Sequence, residues 1–197
     1  MEIIRFANLK PEPWRNGGGV TRQIASYSNS ASANTADNDG GWDWRVSIAD
    51  VTKAGDFSPF PGMERVLTVV EGELLLLNVD GAEQAMEKYR PFRFPGGAAT
   101  SAKLPTGDVR NLNVITRSGA FKGYTSIVEI SKKRAHPLFD GQLGVLLQGQ
   151  ATAADEATEP VPLDRYDAVV GSDSASPQIV GRGFLAVVSI DQVAAEN

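Results

Sequence analysis

Gly62-Met-Glu-Arg-Val-Leu-Thr-Val-Val-Glu-Gly72 decides how this chain folds, together with Pro95-Gly-Gly-Ala-Ala-Thr100 downstream. Residues 66–70 are Val-Leu-Thr-Val-Val, a run rich in β-branched side chains, and 74–78 are Leu-Leu-Leu-Leu-Asn. Between them Glu71-Gly72-Glu73 reads as a hairpin-like bend, so the stretch predicts two strands around a glycine turn. Outward from it, strand-like composition recurs at 44–48, 111–115, 124–128, 144–147 and 184–188. Glycine (20) and proline (11) punctuate the chain at short intervals, and no long segment carries a 3.6-residue apolar period. Pro137-Leu138-Phe139 leaves room for one helical turn at most. Many short strands with frequent turns predict an all-β chain, a sandwich or a barrel. Residues 26–41, rich in Ser, Asn, Ala, Asp and Gly, and 151–160, similar in character, are expected as mobile, solvated loops.

Composition removes several function classes. A net charge of −5 over 197 residues leaves no basic surplus to displace phosphate counterions, so nucleic acid is not an expected partner. Lys132-Lys133-Arg134 is read as a solvated turn. With no cysteine there is no disulfide, no thiolate metal site and no thiol nucleophile, which fits a cytoplasmic location. Met1-Glu2-Ile3-Ile4-Arg5 lacks the apolar core of a secretory signal, and no apolar run approaches the ~20 residues that span a bilayer. No membrane partner is expected.

The quoted stretch resembles the two signature motifs of a cupin barrel with the metal-ligand positions altered. The first motif has a Glu ligand seven positions before its turn glycine; counting back from Gly72 gives Arg65. The two histidines expected earlier fall within Phe57-Ser-Pro-Phe-Pro61, which holds no ligand. The second motif appears as Tyr89, five residues, Pro95, Gly97 and then Thr100 in the histidine place. The one histidine of the chain, His136, lies outside both motifs and is read as a turn residue. Arginine has donors only and keeps its charge at working pH, so it cannot ligate a cation. The expectation is a pocket without metal, and no cofactor is assigned.

A chain shifted on itself by 77 residues places Gly72 on Gly149 and Tyr89 on Tyr166. The resemblance and this repeat together imply a bicupin: a first barrel over 1–120 that holds the pocket, and a second, degenerate half over 121–197.

A guanidinium aimed into a barrel is costly unless something anionic meets it. Two partners for Arg65 stay open: an internal carboxylate such as Glu71 or Glu73, or the carboxylate of a small ligand gripped by the planar fork. Glu64 is adjacent in a strand and should face the other way. Arg45 and Ser47 share one strand face by period two, and Asn113 sits between apolar neighbours. Arg45 and Arg117 read equally as solvated edge residues, and Asn113 equally as a buried hydrogen bond to a loop. Trp14-Arg-Asn16-Gly-Gly-Gly19 is either a tight strand-connecting turn or, through Asn16 and its free N–H groups, the mouth of the pocket.

Trp14-Arg-Asn-Gly-Gly-Gly, 44–49 (Trp-Arg-Val-Ser-Ile-Ala), 57–65 and 111–117 (Asn-Leu-Asn-Val-Ile-Thr-Arg), in that order, resemble the HutD/Ves family of bacterial histidine-utilisation and stress-associated proteins. The resemblance covers nearly the whole chain. It implies a metal-free bicupin, encoded beside histidine-degradation enzymes, that binds an acidic intermediate such as N-formylglutamate or urocanate. By resemblance Asn16, Arg45, Arg65 and Asn113 carry the site, and the spacing adds Ser47 and Thr100. Where the family has Asp before Leu-Asn-Val, this chain has Asn111. The leading expectation is a small-molecule sensor in histidine catabolism, with no catalytic residue assigned. The alternative is a metal-independent isomerase or hydrolase, for which Tyr89 and Glu64 are the acid–base candidates near the motifs. A partner-binding β protein is the third reading, and a homodimer is expected under each.

Overall fold

The computed structural model describes residues 1–29 and 41–194. In chain order the strands are β1 (Glu2–Ile4), β2 (Glu12–Pro13), β3 (Gly19–Tyr27), β4 (Trp44–Val51), β5 (Gly55–Phe57), β6 (Met63–Glu71), β7 (Leu74–Val79), β8 (Ala82–Glu87) and β9 (Phe92–Pro95). They continue with β10 (Thr100–Lys103), β11 (Val109–Arg117), β12 (Phe121–Ile130), β13 (His136–Pro137), β14 (Gln142–Ala154), β15 (Val161–Leu163), β16 (Ala168–Val170) and β17 (Gln178–Gln192). The fold is all-β. Among the described residues the helical content is one 3₁₀ turn at Phe6–Asn8, not at 137–139, where His136–Pro137 instead pairs with Ile179 and Gln178. Among the described residues no helix is long and apolar enough to cross a membrane.

The chain divides into two compact units, Lys10–Gly123 with the chain from Asp191 on, and Tyr124–Ile190 with Met1–Leu9. In the first, a six-stranded antiparallel sheet runs β2-β3-β4-β11-β6-β9 and a four-stranded one runs β5-β10-β7-β8. Leu67, Val69 and Val109 from the larger sheet share one apolar core with Leu75, Leu77, Met86 and Ala102 from the smaller. Their burial supplies most of the driving force for closing the two sheets on each other.

Register decides what else faces that core. Arg65 on β6 and Arg45 on β4 both pair with Ile115 on β11, and Leu67 and Ser47 both pair with Asn113. Strand side chains alternate, so Arg45, Ser47, Asn113 and Arg65 lie on the face that carries Leu67 and Val69. Glu64 points the other way, as its adjacency demands, and pairs with Arg93.

Three sequence expectations need correction. The bend at 71–73 does not close a hairpin: β6 pairs with β11 and β9, whereas β7 pairs with β10 and β8. Gly72 turns the chain from one sheet to the other at φ +86°, where an added Cβ would stand 2.7 Å from the Asp108 carbonyl. Residues 151–154 are not loop but the end of β14, because Ala151 and Ala153 alternate into the core beside Leu163 and Ile179. Ser26 and Tyr27 belong to β3, with Tyr27 stacked on Trp44; Ser28, Asn29 and Gly41 are outside any strand, and 30–40 lies outside the described residues.

In the other unit, a sheet runs β1-β16-β14-β17-β12, with β13 on β17 and β15 on β14. The first nine residues are bound into it: Asp167, almost wholly buried, accepts from Arg5 at 2.6 Å and from the Phe6 N–H at 2.9 Å. The 77-residue offset joins residues of like backbone geometry. Tyr89 N–H donates to the Val69 carbonyl at 2.8 Å and Tyr166 N–H to the Leu146 carbonyl at 2.7 Å. Both tyrosines hold positive φ (66° and 72°), as do Gly72 (86°) and Gly149 (98°). Each unit thus carries the same glycine–tyrosine corner geometry at the same spacing, between two sheets at Gly72 and within β14 at Gly149.

Candidate functional site

A cavity of about 330 Å³ opens in the Lys10–Gly123 unit. Arg45, Ser47, Arg65, Asn113 and Ile115, all from the core-facing rows of β4, β6 and β11, line its depth. Glu12 to Asn16, Asp56 and Ser58 line its mouth, with Phe57 and Phe60 between.

Arg65 is 3% exposed. Its Nη2 donates to Asn113 Oδ1 at 3.2 Å, while its Nε has no hydrogen-bond partner among the described residues. Of the two partners left open for it, the internal carboxylate does not meet it: Glu71 accepts from Arg110 at 3.2 Å instead, and Glu73 makes no ion pair with Arg65 among the described residues. Three rings surround the guanidinium, Phe94 at 5.1 Å, Phe60 at 5.5 Å and Phe57 at 5.7 Å. Burial, and secondarily the charge of Arg45, pushes its pKa down to about 9. It therefore stays a cation at neutral pH, under electrostatic stress.

Arg45 is half-buried, its guanidinium 4.7 Å from the Trp42 ring and 5.4 Å from Phe60. Ser47 is Asn113's cross-strand partner and is buried. Asn16 reaches the mouth, but its side chain is engaged: Oδ1 accepts from Gly18 N–H at 2.9 Å and Nδ2 donates to the Asp56 carbonyl at 3.1 Å. The glycine segment is thus both a strand-connecting turn and a pocket rim. Gly19 is obligatory there, since a Cβ would stand 2.4 Å from the Asp50 carbonyl.

Thr100 is not brought to this site. It lies on β10, donates to the Ala98 carbonyl at 3.0 Å and borders a separate hollow with Asn78 and Asp80. Motif alignment locates it along the chain, but β10 belongs to the smaller sheet. Arg117 is structural, its Nε donating at 2.5 Å to the buried Asp43, which also accepts from Asn29 N–H. His136 sits in the other unit, and neither Glu64 nor Tyr89 lines the cavity.

Sequence reasoning missed the aromatic walls and the charged mouth. Phe57 and Phe60 stand in the segment where a cupin motif carries its histidines, and that replacement of ligands by rings was the available signal. Glu12, Arg15 and Asp56 carried no signal, because what gathers them is the folding of β2 and β5 to one rim. A cupin fold raises the question of a metal, and the donors do not fit one: the ligand positions hold an arginine, phenylalanines, prolines and a remote threonine. Among the described residues no three His, Cys, Asp or Glu side chains converge.

Comparison with known proteins agrees with this architecture. The model of the HutD family matches residues 6–187. Protein Ves of Citrobacter koseri is 34% identical over 131 residues, covering 66% of this chain and 64% of that protein. An uncharacterised 21.2 kDa protein of Pseudomonas putida, from the region 3′ of hutC, is 34% identical over 116 residues, covering 58% and 57%. The chain thus spans less than two thirds of the length of these relatives. Among solved structures, HutD from Pseudomonas fluorescens SBW25 superposes with a TM-score of 0.77 at 25% identity, over 98% of this chain and 99% of that one. A cupin 2 conserved barrel protein from Leptotrichia buccalis gives 0.60 at 8% identity over 98% and 96%, a likeness of fold alone.

Proposed function

The chain belongs to the HutD family, and we propose that it is a metal-free binding protein for a small carboxylate, acting in the control of histidine catabolism. The observation that carries this reading is Arg65: a buried cation with Asn113 as its hydrogen-bond acceptor and no carboxylate in reach among the described residues. Its three rings offset about 0.5–2 kcal/mol of the cost. Withdrawing an ion from water costs several kcal/mol, so the balance favours an incoming anion. Nε is free to donate, and a carboxylate accepting from the fork gains about 1.5–3 kcal/mol per hydrogen bond. The cavity's 330 Å³ lies at the small end of the range for small-molecule pockets, about 300–1,000 Å³.

The pathway assignment is supported by the family and by a relative located in the hutC region. N-formylglutamate and urocanate are the acids of that pathway that such a pocket would receive. A binding role is favoured over catalysis because Glu64 is engaged with Arg93 and Tyr89 stands outside the cavity. We further read the two units, with their matching corners, as two cupin-type halves, one of which keeps the pocket.

Isothermal titration with each acid tests the proposal. Saturable heat that disappears in Arg65→Met is the expected result; no heat from either acid at millimolar concentration overturns it.

A further inference from the structure

The pocket is charged at both ends, with opposite sign. Its depth holds Arg45 and Arg65, while its mouth holds the exposed carboxylates of Glu12 and Asp56 with the guanidinium of Arg15. Neither carboxylate forms an ion pair or a side-chain hydrogen bond among the described residues; the Asp56 contact with Asn16 is through its backbone carbonyl. Among the described residues, other acids of this unit are ion-paired: Asp43 with Arg117, Asp50 with Arg22 and Arg110, Glu64 with Arg93, Glu71 with Arg110, Glu83 with Lys103 and Glu87 with Arg90. Two unmatched acids on one rim, facing a cavity whose floor holds a buried and unneutralised cation, form a bipolar container.

We infer that Glu12 and Asp56 set the specificity of the pocket, selecting an acid whose far end carries a nitrogen donor or a positive charge over a dicarboxylate, and so ranking urocanate above N-formylglutamate, which carries two carboxylates. This rests on the carboxylate-binding reading above. With one carboxylate on Arg65, the opposite end of a short ligand lies towards the rim. A second carboxylate there meets two like charges and one guanidinium, so the rim is net repulsive. An imidazole N–H or an ammonium meets two acceptors. Discrimination comes from the unfavourable contact as much as from the favourable one.

The test compares urocanate, an acid with an imidazole at its far end, with glutarate, which has a carboxylate at each end. Both are titrated into the wild-type protein, the double variant Glu12→Gln/Asp56→Asn, and Arg65→Met. The rim is exposed, so each charge is partly screened and the double variant should shift the ratio of the two dissociation constants by about fivefold towards glutarate. That shift should shrink as salt is added. An unchanged melting temperature of the double variant shows that its fold is intact. A ratio that moves by less than about twofold, with Arg65-dependent binding retained, overturns the inference and leaves the carboxylate site standing. If the wild type binds neither acid, or if Arg65→Met binds both as well as the wild type, the carboxylate site itself fails and this inference fails with it.

Discussion

Arg45 and Arg65 share the ring of Phe60: their guanidinium carbons stand 5.4 and 5.5 Å from its centroid. Each depresses the folded state by repelling the other, and Arg45 contributes, after burial, to the lowered pKa of Arg65. Strand register enforces this pairing, because both arginines oppose Ile115 on β11.

The ligand-free protein should therefore gain stability when Arg65 is neutralised. Arg65→Met keeps much of the volume and removes the buried charge, and comparable replacements are neutral or stabilising by about 1–4 kcal/mol. Thermal melting without ligand should show Arg65→Met at or above the wild type, while carboxylate binding is lost. A melting temperature well below wild type would mark Arg65 as a structural residue.

Asn113→Asp should convert the site into the internal salt bridge that the native chain lacks. The new carboxylate would replace an amide oxygen 3.2 Å from Arg65 Nη2. Melting temperature should rise or hold, and affinity for a carboxylate ligand should fall about tenfold or more, equivalent to ~1.4 kcal/mol. Undiminished affinity would place the ligand away from Asn113 and Arg65.

Binding should be insensitive to pH through the neutral range. The folded-state pKa of Arg65, about 9, lies well below the ordinary arginine value, so between the two the folded state binds fewer protons than the unfolded chain. The burial cost is constant below about 9 and is relieved only as pH rises above it. From pH 6 to 8 Arg65 thus stays charged, and affinity should fall only on the acid side, as the ligand's own carboxylate protonates near pH 4. Calorimetry across pH 4 to 8 checks this, and a break between 6 and 8 that the ligand's own titration does not explain would contradict it.

The two matching corners should both be intolerant of a side chain. Gly72→Ala and Gly149→Ala force positive φ on alanine and press a Cβ to 2.7 Å and 2.0 Å from the carbonyls of Asp108 and Arg182. Each should cost about 1–3 kcal/mol or more in urea unfolding, with the tighter Gly149 position costing the greater amount. A loss below about 0.5 kcal/mol at either would contradict the corner geometry.

Strand positions were legible because β-branched runs such as 66–70 can do little else, and the inward face of Arg65 was legible from its alternation with Glu64. The partner of each strand was not. Whether 71–73 closes a hairpin depends on β7 pairing with β10, remote in sequence, and turning back on β8 rather than on β6. The same limit misplaced Thr100: a motif gives position along the chain, while sheet membership decides which hollow a residue borders. Of the candidate site, Arg45 and Ser47 were legible from period two, Arg65 from its count back from Gly72, and Asn113 from its apolar neighbours. The rim acids were not, since Glu12 and Asp56 meet only after β2 pairs with β3 and β5 with β10.

The guanidinium of Arg65 can be watched directly. In protein labelled with ¹⁵N-arginine, the Nε–Hε resonance assigned through Arg65→Met should shift saturably as urocanate or N-formylglutamate is added, with a midpoint equal to the calorimetric dissociation constant. A resonance that stays in place while heat of binding is recorded would put the ligand elsewhere and contradict a pocket built around that buried charge.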